Sequence, residues 1–286
     1  MVTLTDYEGG ETAWCPGCGN FQILLAVKQA LVKLNLEPHQ VLFVSGIGQS
    51  SKLPHYLKCN LFNSLHGRAL PVATGAKIAN HELNVIVVGG DGDGYGEGGN
   101  HLLHAIRRNL DMTYIVHNNQ IYGLTKGQAS PTSEKGFIGK TTPRGVVSPP
   151  LNPIALAIAL GATFVARSYS AQIPHLTNII AEGIKHNGFA LIDVLQPCVT
   201  FNTHNTYSWY NSRVYALEDV EGYDSRNQRM AFDKAQEWGD RIPIGIIYQS
   251  DRLTYESQIP ALKSGPLVKQ EYNPLRIAHL FKEFIP

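Results

Sequence analysis

A chain of 286 residues, 43% of them hydrophobic, can bury a large core, and its length fits one extended α/β domain spanning residues 1–286. A formal net charge of +1 with only 16% charged residues gives no electrostatic footprint for nucleic acid or for an anionic membrane surface. The start lacks a basic n-region and an apolar h-region, and no run reaches the ~18 apolar residues of a membrane span, so the sequence reads as cytoplasmic.

Residues 1–19 carry no periodicity but hold Trp14-Cys15-Pro16-Gly17-Cys18-Gly19, a Pro/Gly turn that brings two thiols to one side. From Asn20 to Leu34 apolar residues recur at three- and four-residue steps, which predicts an amphipathic helix. Gln40 to Val44 is a short β-rich run entering the loop Ser45 to Ser51, and Cys59 falls in an irregular stretch before Ser64 to Pro71. Val72 to Ala79 reads as a helix whose Ala73, Gly75 and Ala76 permit close packing. A strand over Val85 to Val88, a helix over Gly98 to Arg108 and a strand over Met112 to Val116 follow.

This alternation predicts right-handed crossovers and a mainly parallel sheet with helices on both faces, ligands lying beyond the carboxyl ends of the strands. Residues 123–150 form a Gly/Ser/Thr/Pro-rich loop, and a loop that long in a compact domain is usually functional. Asn152-Pro153 marks a helix start, with an N-cap and a proline at the first helical position, and that helix runs to Gly161. A strand over Thr163 to Ala166, a helix over Ile173 to Lys185 and a strand over Phe189 to Leu195 complete an α/β core across 20–198, ending at Gln196-Pro197-Cys198. Residues 199–286 read as an irregular extension with helical patches near 225–237 and 274–284. Its Trp209, Tyr210 and Tyr215 are candidates for a subunit interface.

The chemistry centres on Gly90-Asp91-Gly92-Asp93-Gly94, answered 28 residues after Asp91 by Asn119 in Asn118-Asn119-Gln120-Ile121. Mg²⁺ takes octahedral oxygen ligands, commonly one or two protein groups plus phosphate and water. Asp91 supplies a carboxylate, Asn119 an amide oxygen and Ile121 a backbone carbonyl, while the glycines let the backbone approach a diphosphate. The competing reading is a pair of plain turns. The second feature is the cysteines: four thiolates, Cys15, Cys18, Cys59 and Cys198, can hold a 4Fe-4S cluster or a structural zinc. A zinc ribbon would carry a second C-x-x-C pair, which is absent; Cys59 and Cys198 could also be small buried residues.

Gly90-Asp91-Gly92 with Asn119 resembles the thiamine-diphosphate motif of transketolases, decarboxylases and 2-oxoacid oxidoreductases, in which Asp91, Asn119 and the Ile121 carbonyl would ligate Mg²⁺. Together with Trp14 to Gly19, Ser45-Gly46-Ile47-Gly48, His66-Gly67-Arg68-Ala69-Leu70-Pro71, Gly99-Asn100-His101, Ile121-Tyr122-Gly123-Leu124-Thr125 and Gln196-Pro197-Cys198, the chain resembles the β subunit of a 2-oxoacid:ferredoxin oxidoreductase over residues 10–200. The resemblance implies the pyrophosphate-binding (PP-type) module of the thiamine-diphosphate fold, with Gly48, Gly90, Asp91, Gly92, Asp93, Asn119, Ile121, Gly123, Leu124 and Thr125 at the cofactor. It implies one 4Fe-4S cluster on Cys15, Cys18, Cys59 and Cys198. At Gln49 many relatives carry a cysteine that is not a ligand, so the expected ligand count is unchanged.

What the resemblance implies for the reaction is oxidative decarboxylation of a 2-oxoacid on the cofactor, or the reverse carboxylation. Coenzyme A would take the acyl group, and electrons would pass singly through the cluster to ferredoxin. The glutamate that activates the cofactor normally sits in an α subunit, and no candidate for it is found here. The chain is therefore expected to be half of an active site, in a dimer of αβ heterodimers.

Lys126, on the loop over the thiazolium, could pair with a distal carboxylate, which favours 2-oxoglutarate over pyruvate or a mixed 2-oxoacid range. His66 and Arg68 could contact substrate or phosphate, or cap the following helix; Asn100, His101 and His104 could support them. A non-redox thiamine enzyme would need none of the cysteines. A zinc-stabilised binding subunit would bind no thiamine diphosphate.

Overall fold

The structure, a computed structural model, describes residues 1–284. In chain order its principal elements are α1 (Asn20–Lys33), β1 (Val41–Ser45), β2 (Asn60–Asn63), α2 (Ala69–Ala79), β3 (Asn84–Gly90), α3 (Gly99–Arg108), β4 (Met112–Asn118), β5 (Ile121–Tyr122), β6 (Gln128–Ala129), α4 (Pro153–Ala159), β7 (Phe164–Tyr169), α5 (Ile173–Lys185), β8 (Phe189–Leu195), α6 (Tyr207–Asn211), β9 (Val214–Ala216), α7 (Gln228–Ala235), β10 (Ile242–Gln249) and α8 (Ala278–Phe281). Among the described residues one eight-stranded sheet runs in the order β2-β1-β3-β4-β8-β7-β10-β9. Every neighbouring pair in it is parallel except β10 with β7.

The inner strands are near-continuous apolar runs because both of their faces are covered. Alternation along β3 sends Ile86 and Val88 to the layer of α1 and α5, and Val85 and Val87 to the layer of α2, α3, α4 and α7. The parallel run from β2 to β7 places the ends of β1, β3, β4 and β8 along one edge. Four candidate segments therefore converge there: 45–49, 90–94, 118–121 and 196–198.

Three features differ from the sequence reading. The stretch holding Cys59 leads into β2, an edge strand exposed at all four positions, whose side chains therefore show no buried period. The glycine stretch is one π-helical turn, Gly92–Glu97, running almost directly into α3. Residues 199–286 are not simply an irregular extension, because β10 adds to the main sheet beside β7 and β9 completes its edge. Pro243, Gly245 at φ +127° and a register shift between Ile246 and Tyr248 disguise β10 in the sequence, since proline and glycine both weaken a strand pattern. The expected helical patches condense to α7 and to a 3-10 turn, Pro274–Ile277, leading into α8. Tyr210 belongs to a buried cluster with Tyr169, Leu195, Ile242 and Ile244, so it is core and not interface.

If β10 is part of the cooperative core, Ile244→Ala, at a fully buried position, costs about 2–5 kcal/mol of unfolding free energy. Leu275→Ala, at a position 79% exposed, stays within about 0.5 kcal/mol of wild type. Denaturant unfolding followed by fluorescence separates the two; equal small losses would detach residues 199–286 from the core.

Candidate active site

One cleft at the carboxyl edge is lined by Gly48, Gly90, Asp91, Gly92, Asp93, Asn119, Ile121, Gly123, Leu124 and Thr125, with His66 beside them. Lys126 and Arg68 are not on its wall. Lys126 sits one residue beyond Thr125, exposed, in the turn between β5 and β6, with its backbone at φ +79°. Arg68 is exposed and its Nη1 lies 2.9 Å from Nε2 of His101. Burial, followed by the charge of Arg68, holds the His101 imidazole below its usual range.

Asp91 is buried at the end of β3. Its Oδ2 accepts from Ser130 Oγ at 2.5 Å and Thr132 Oγ1 at 2.6 Å. Burial pushes the Asp91 carboxyl up to about 6, and nearby Asp193 adds to this, while the two hydroxyls oppose it. A desolvated carboxylate of this kind is stabilised by a bound cation, which inverts the local balance. Ser130 and Thr132 are the partners that sequence reasoning missed. They belong to the 123–150 loop, where only the loop's length was informative.

Asp93 has a different role from Asp91. Its Oδ1 accepts from Ile47 N at 3.0 Å, Gly67 N at 2.8 Å and His66 Nδ1 at 2.7 Å. One carboxylate thus ties the β1 loop and the 66–67 turn to the glycine stretch. A Cβ on Gly46 would strike that carboxylate, and one on Gly92 would strike the Tyr122 ring, which explains glycine at both sites. His66 Nε2 lies 3.5 Å from Glu97 Oε2, so this imidazole bridges two acids at the rim of the cleft.

After β4, Gln120 takes a left-handed backbone at φ +60°, uncommon outside glycine and asparagine. This turn directs Asn119 and Ile121 toward the same cleft. It is held by Gln120 Nε2 donating to Thr132 O at 3.1 Å and by Ser133 Oγ donating to Gln120 O. Asn119 Oδ1 accepts from Ile121 N at 3.0 Å. A buried carboxylate, an amide oxygen and a turning backbone, beside glycines that add no side chain to the cleft, fit Mg²⁺ and a diphosphate as a donor set.

A second cleft adjoins the first and is lined by Cys15, Cys18 and Cys198 with Gln49, Asn119 and Gly123. Gly19 N donates to Pro197 O at 3.4 Å, and Gln196 Nε2 approaches Cys18 Sγ at 3.5 Å, which joins the cysteine loop to the end of β8. Burial pushes the Cys18 thiol up to about 11, with Cys198 and Cys15 adding to it. Among the described residues no three His, Cys, Asp or Glu side chains are drawn together as a metal-binding group; these thiols face one cleft without closing on each other.

Cys59 does not join them, which corrects the expected four-cysteine set. Asn60, its neighbour, pairs with Leu42 near the amino end of β1, so Cys59 lies at the opposite end of the strands from Cys198. It also lies on the far edge: β2 and β8 are separated by four strand spacings, roughly 19 Å at about 4.8 Å each. Its thiol, pushed up to about 12 by burial alone, packs against the core.

Replacing Thr132 by Val keeps the shape and deletes a donor to a buried carboxylate, a hydrogen bond of about 1.5–3 kcal/mol when one partner is charged. Thr132→Val is therefore expected to weaken Mg²⁺-dependent thiamine diphosphate binding by about tenfold or more in calorimetry, and Asp91→Asn to abolish its dependence on Mg²⁺. Unchanged binding in both variants would remove Asp91 from the metal site.

The family described as thiamine pyrophosphate enzyme, C-terminal TPP binding domain, matches residues 42–194. A second family, the C-terminal part of the pyruvate ferredoxin oxidoreductase beta chain, matches residues 198–264. The chain is 50% identical over 275 residues to the 2-oxoacid:ferredoxin oxidoreductase subunit beta of Sulfolobus sp, covering 92% of this chain and 89% of the relative. It is 48% identical over 192 residues to the 2-oxoglutarate oxidoreductase subunit KorB of Mycobacterium tuberculosis, covering 67% and 52%. A solved 2-oxoglutarate:ferredoxin oxidoreductase from Magnetococcus marinus, with 2-oxoglutarate, coenzyme A and succinyl-CoA bound, superposes with a TM-score of 0.91 at 36% identity, covering 98% of this chain and 96% of that one. The thiamine-type fold, the cleft at its carboxyl edge and these likenesses agree: the chain belongs to the 2-oxoacid:ferredoxin oxidoreductase β-subunit family.

Proposed function

We propose that this β subunit serves the coenzyme A-dependent oxidative decarboxylation of 2-oxoglutarate to succinyl-CoA and CO₂, or the reverse carboxylation. The observation that carries the reading is the cleft, where the glycine stretch, Asp91, Asn119 and Ile121 converge. Thiamine diphosphate supplies the carbanion chemistry when bound. Asp91, Asn119 and the Ile121 carbonyl would hold its Mg²⁺; Gly90, Gly92 and Gly48 leave room for the diphosphate; Asp93 and His66 fix the wall opposite Tyr122. The neighbouring thiols would hold an iron-sulfur cluster that passes electrons singly to ferredoxin.

An α partner is supported by the surface. Leu65, Leu124, Ile138 and Val147 are exposed apolar side chains, 75%, 42%, 71% and 82% accessible, on segments that border the cleft or continue from it. A covering partner would bury them and bring the activating glutamate, in a dimer of αβ heterodimers. Broad 2-oxoacid specificity, pyruvate included, is the second reading, favoured by the Sulfolobus relative's unrestricted name. A non-redox thiamine enzyme is the third; a visible absorbance that bleaches on reduction in anaerobically purified protein separates it from the other two.

Lys126 supports 2-oxoglutarate. Glycine is the residue that adopts φ +79° without strain, so a lysine at this position of the cofactor loop is best explained by its side chain. Lys126→Gly relieves the backbone and removes the cation. The ratio of kcat/KM for 2-oxoglutarate over pyruvate is expected to fall about tenfold or more, the size of a charge-assisted contact. An unchanged ratio in steady-state assays would leave Lys126 without a role in substrate choice.

A further inference from the structure

The thiol cleft is lined by three cysteines and two glutamines. Gln196 is already engaged, its Nε2 donating to Pro197 O at 2.7 Å and approaching Cys18 Sγ at 3.5 Å, which leaves Gln49. Gln49 lines this cleft and the diphosphate cleft alike, so its side chain stands in the wall between them. Its backbone carbonyl accepts from Trp14 Nε1 at 2.8 Å, which fixes residue 49 against the Cys-Pro-Gly-Cys turn. Its Oε1 is buried and has no hydrogen-bond partner among the described residues. A buried carbonyl oxygen without a donor is costly, and this one belongs to a residue lining the same cleft as the three thiols. Cys59, the remaining thiol, is on the far edge of the sheet. The expectation that position 49 stands outside the ligand set and leaves the count of four unchanged therefore does not hold: residue 49 is at the cleft and Cys59 is not.

We propose that Cys15, Cys18 and Cys198 hold the iron-sulfur cluster as a three-thiolate site whose fourth corner faces Gln49, leaving one iron without a protein thiolate on the side toward the diphosphate cleft. This rests on the iron-sulfur reading above. An amide oxygen is neutral and hard, whereas iron in these clusters is held by soft thiolates, so the fourth iron is the weakly held one. Three thiolates also give the cluster one unit less negative charge than four, which raises its reduction potential. With a one-electron oxidant such as ferricyanide, the resting cubane, [4Fe-4S]²⁺, would give [3Fe-4S]⁺, Fe²⁺ and one electron, the electron reducing ferricyanide to ferrocyanide.

The test uses the full chain, purified anaerobically in its native complex. Iron content and electron paramagnetic resonance are read before oxidation, after one equivalent of ferricyanide, and after adding Fe²⁺ with dithionite. The expected result is loss of about one iron in four with the signal of an oxidised three-iron cluster, restoration by Fe²⁺, and no iron loss in Gln49→Cys. Gln49→Cys should also lower the potential in a redox titration, and Cys59→Ser should leave iron and spectrum unchanged. Four irons that resist ferricyanide in the wild type, or iron lost in Cys59→Ser, would overturn the three-thiolate site while leaving the cluster reading intact. A wild-type chain with no iron, or with zinc in its place, would overturn the cluster reading itself.

Discussion

The carboxylate of Asp93 is the interaction on which the active edge depends. Three donors from two separate segments, Ile47 N from one and His66 Nδ1 and Gly67 N from the other, converge on its Oδ1. The short loop between β1 and the 3-10 helix Ser50–Tyr56 and the turn before α2 are tied to each other through this buried acid in the π-helical turn. That turn in turn needs Asp91 and Asp93 to sit two residues apart and point to different neighbours. Asp91 faces the Ser130 and Thr132 hydroxyls and the open cleft. Single π-helical turns are rare and are frequent at functional sites.

Desolvation is the shared physical theme of both clefts. Burial drives the Asp91 carboxyl and the Cys18 thiol toward their neutral forms, and a bound cation would restore the charged forms. By contrast, the buried Cys59 thiol lies apart from the other three, so its burial has only core packing to serve. The same effect of burial therefore acts beside an open cleft in one place and within plain packing in another. Strand register, and not the acidity of the thiol, distinguishes them.

Much of the site is legible in the sequence because it is local there. The glycine stretch, Asn119 and the turn after it lie within one strand-helix-strand unit, and parallel topology brings their ends together without further information. The amphipathic helices α1 and α5 are legible through their burial period, and the strand β8 through its short continuous run buried on both faces. What cannot be read is non-local. The partners of Asp91 come from a loop whose length alone is informative. β2 is exposed on every residue, and β10 is broken by Pro243 and Gly245. Cys59 is misplaced by a reading of the sequence because a thiol's position in the chain says nothing about which end of a sheet it occupies.

Gln49 brings these strands together. Its place is visible in the sequence as the residue after Gly48, and a ligand count made from cysteines alone passes over it. The fold makes it a wall residue between a diphosphate cleft and a thiol cleft, with its backbone carbonyl held by the Trp14 indole of the cysteine turn itself. Gln49, Asn119 and Gly123 border both clefts, so only a few residues separate the two. Asn119 thus lines the glycine-stretch cleft on one side and the thiol cleft on the other. The two clefts therefore share a scaffold, and a change at residue 49 or 119 alters the walls of both at once.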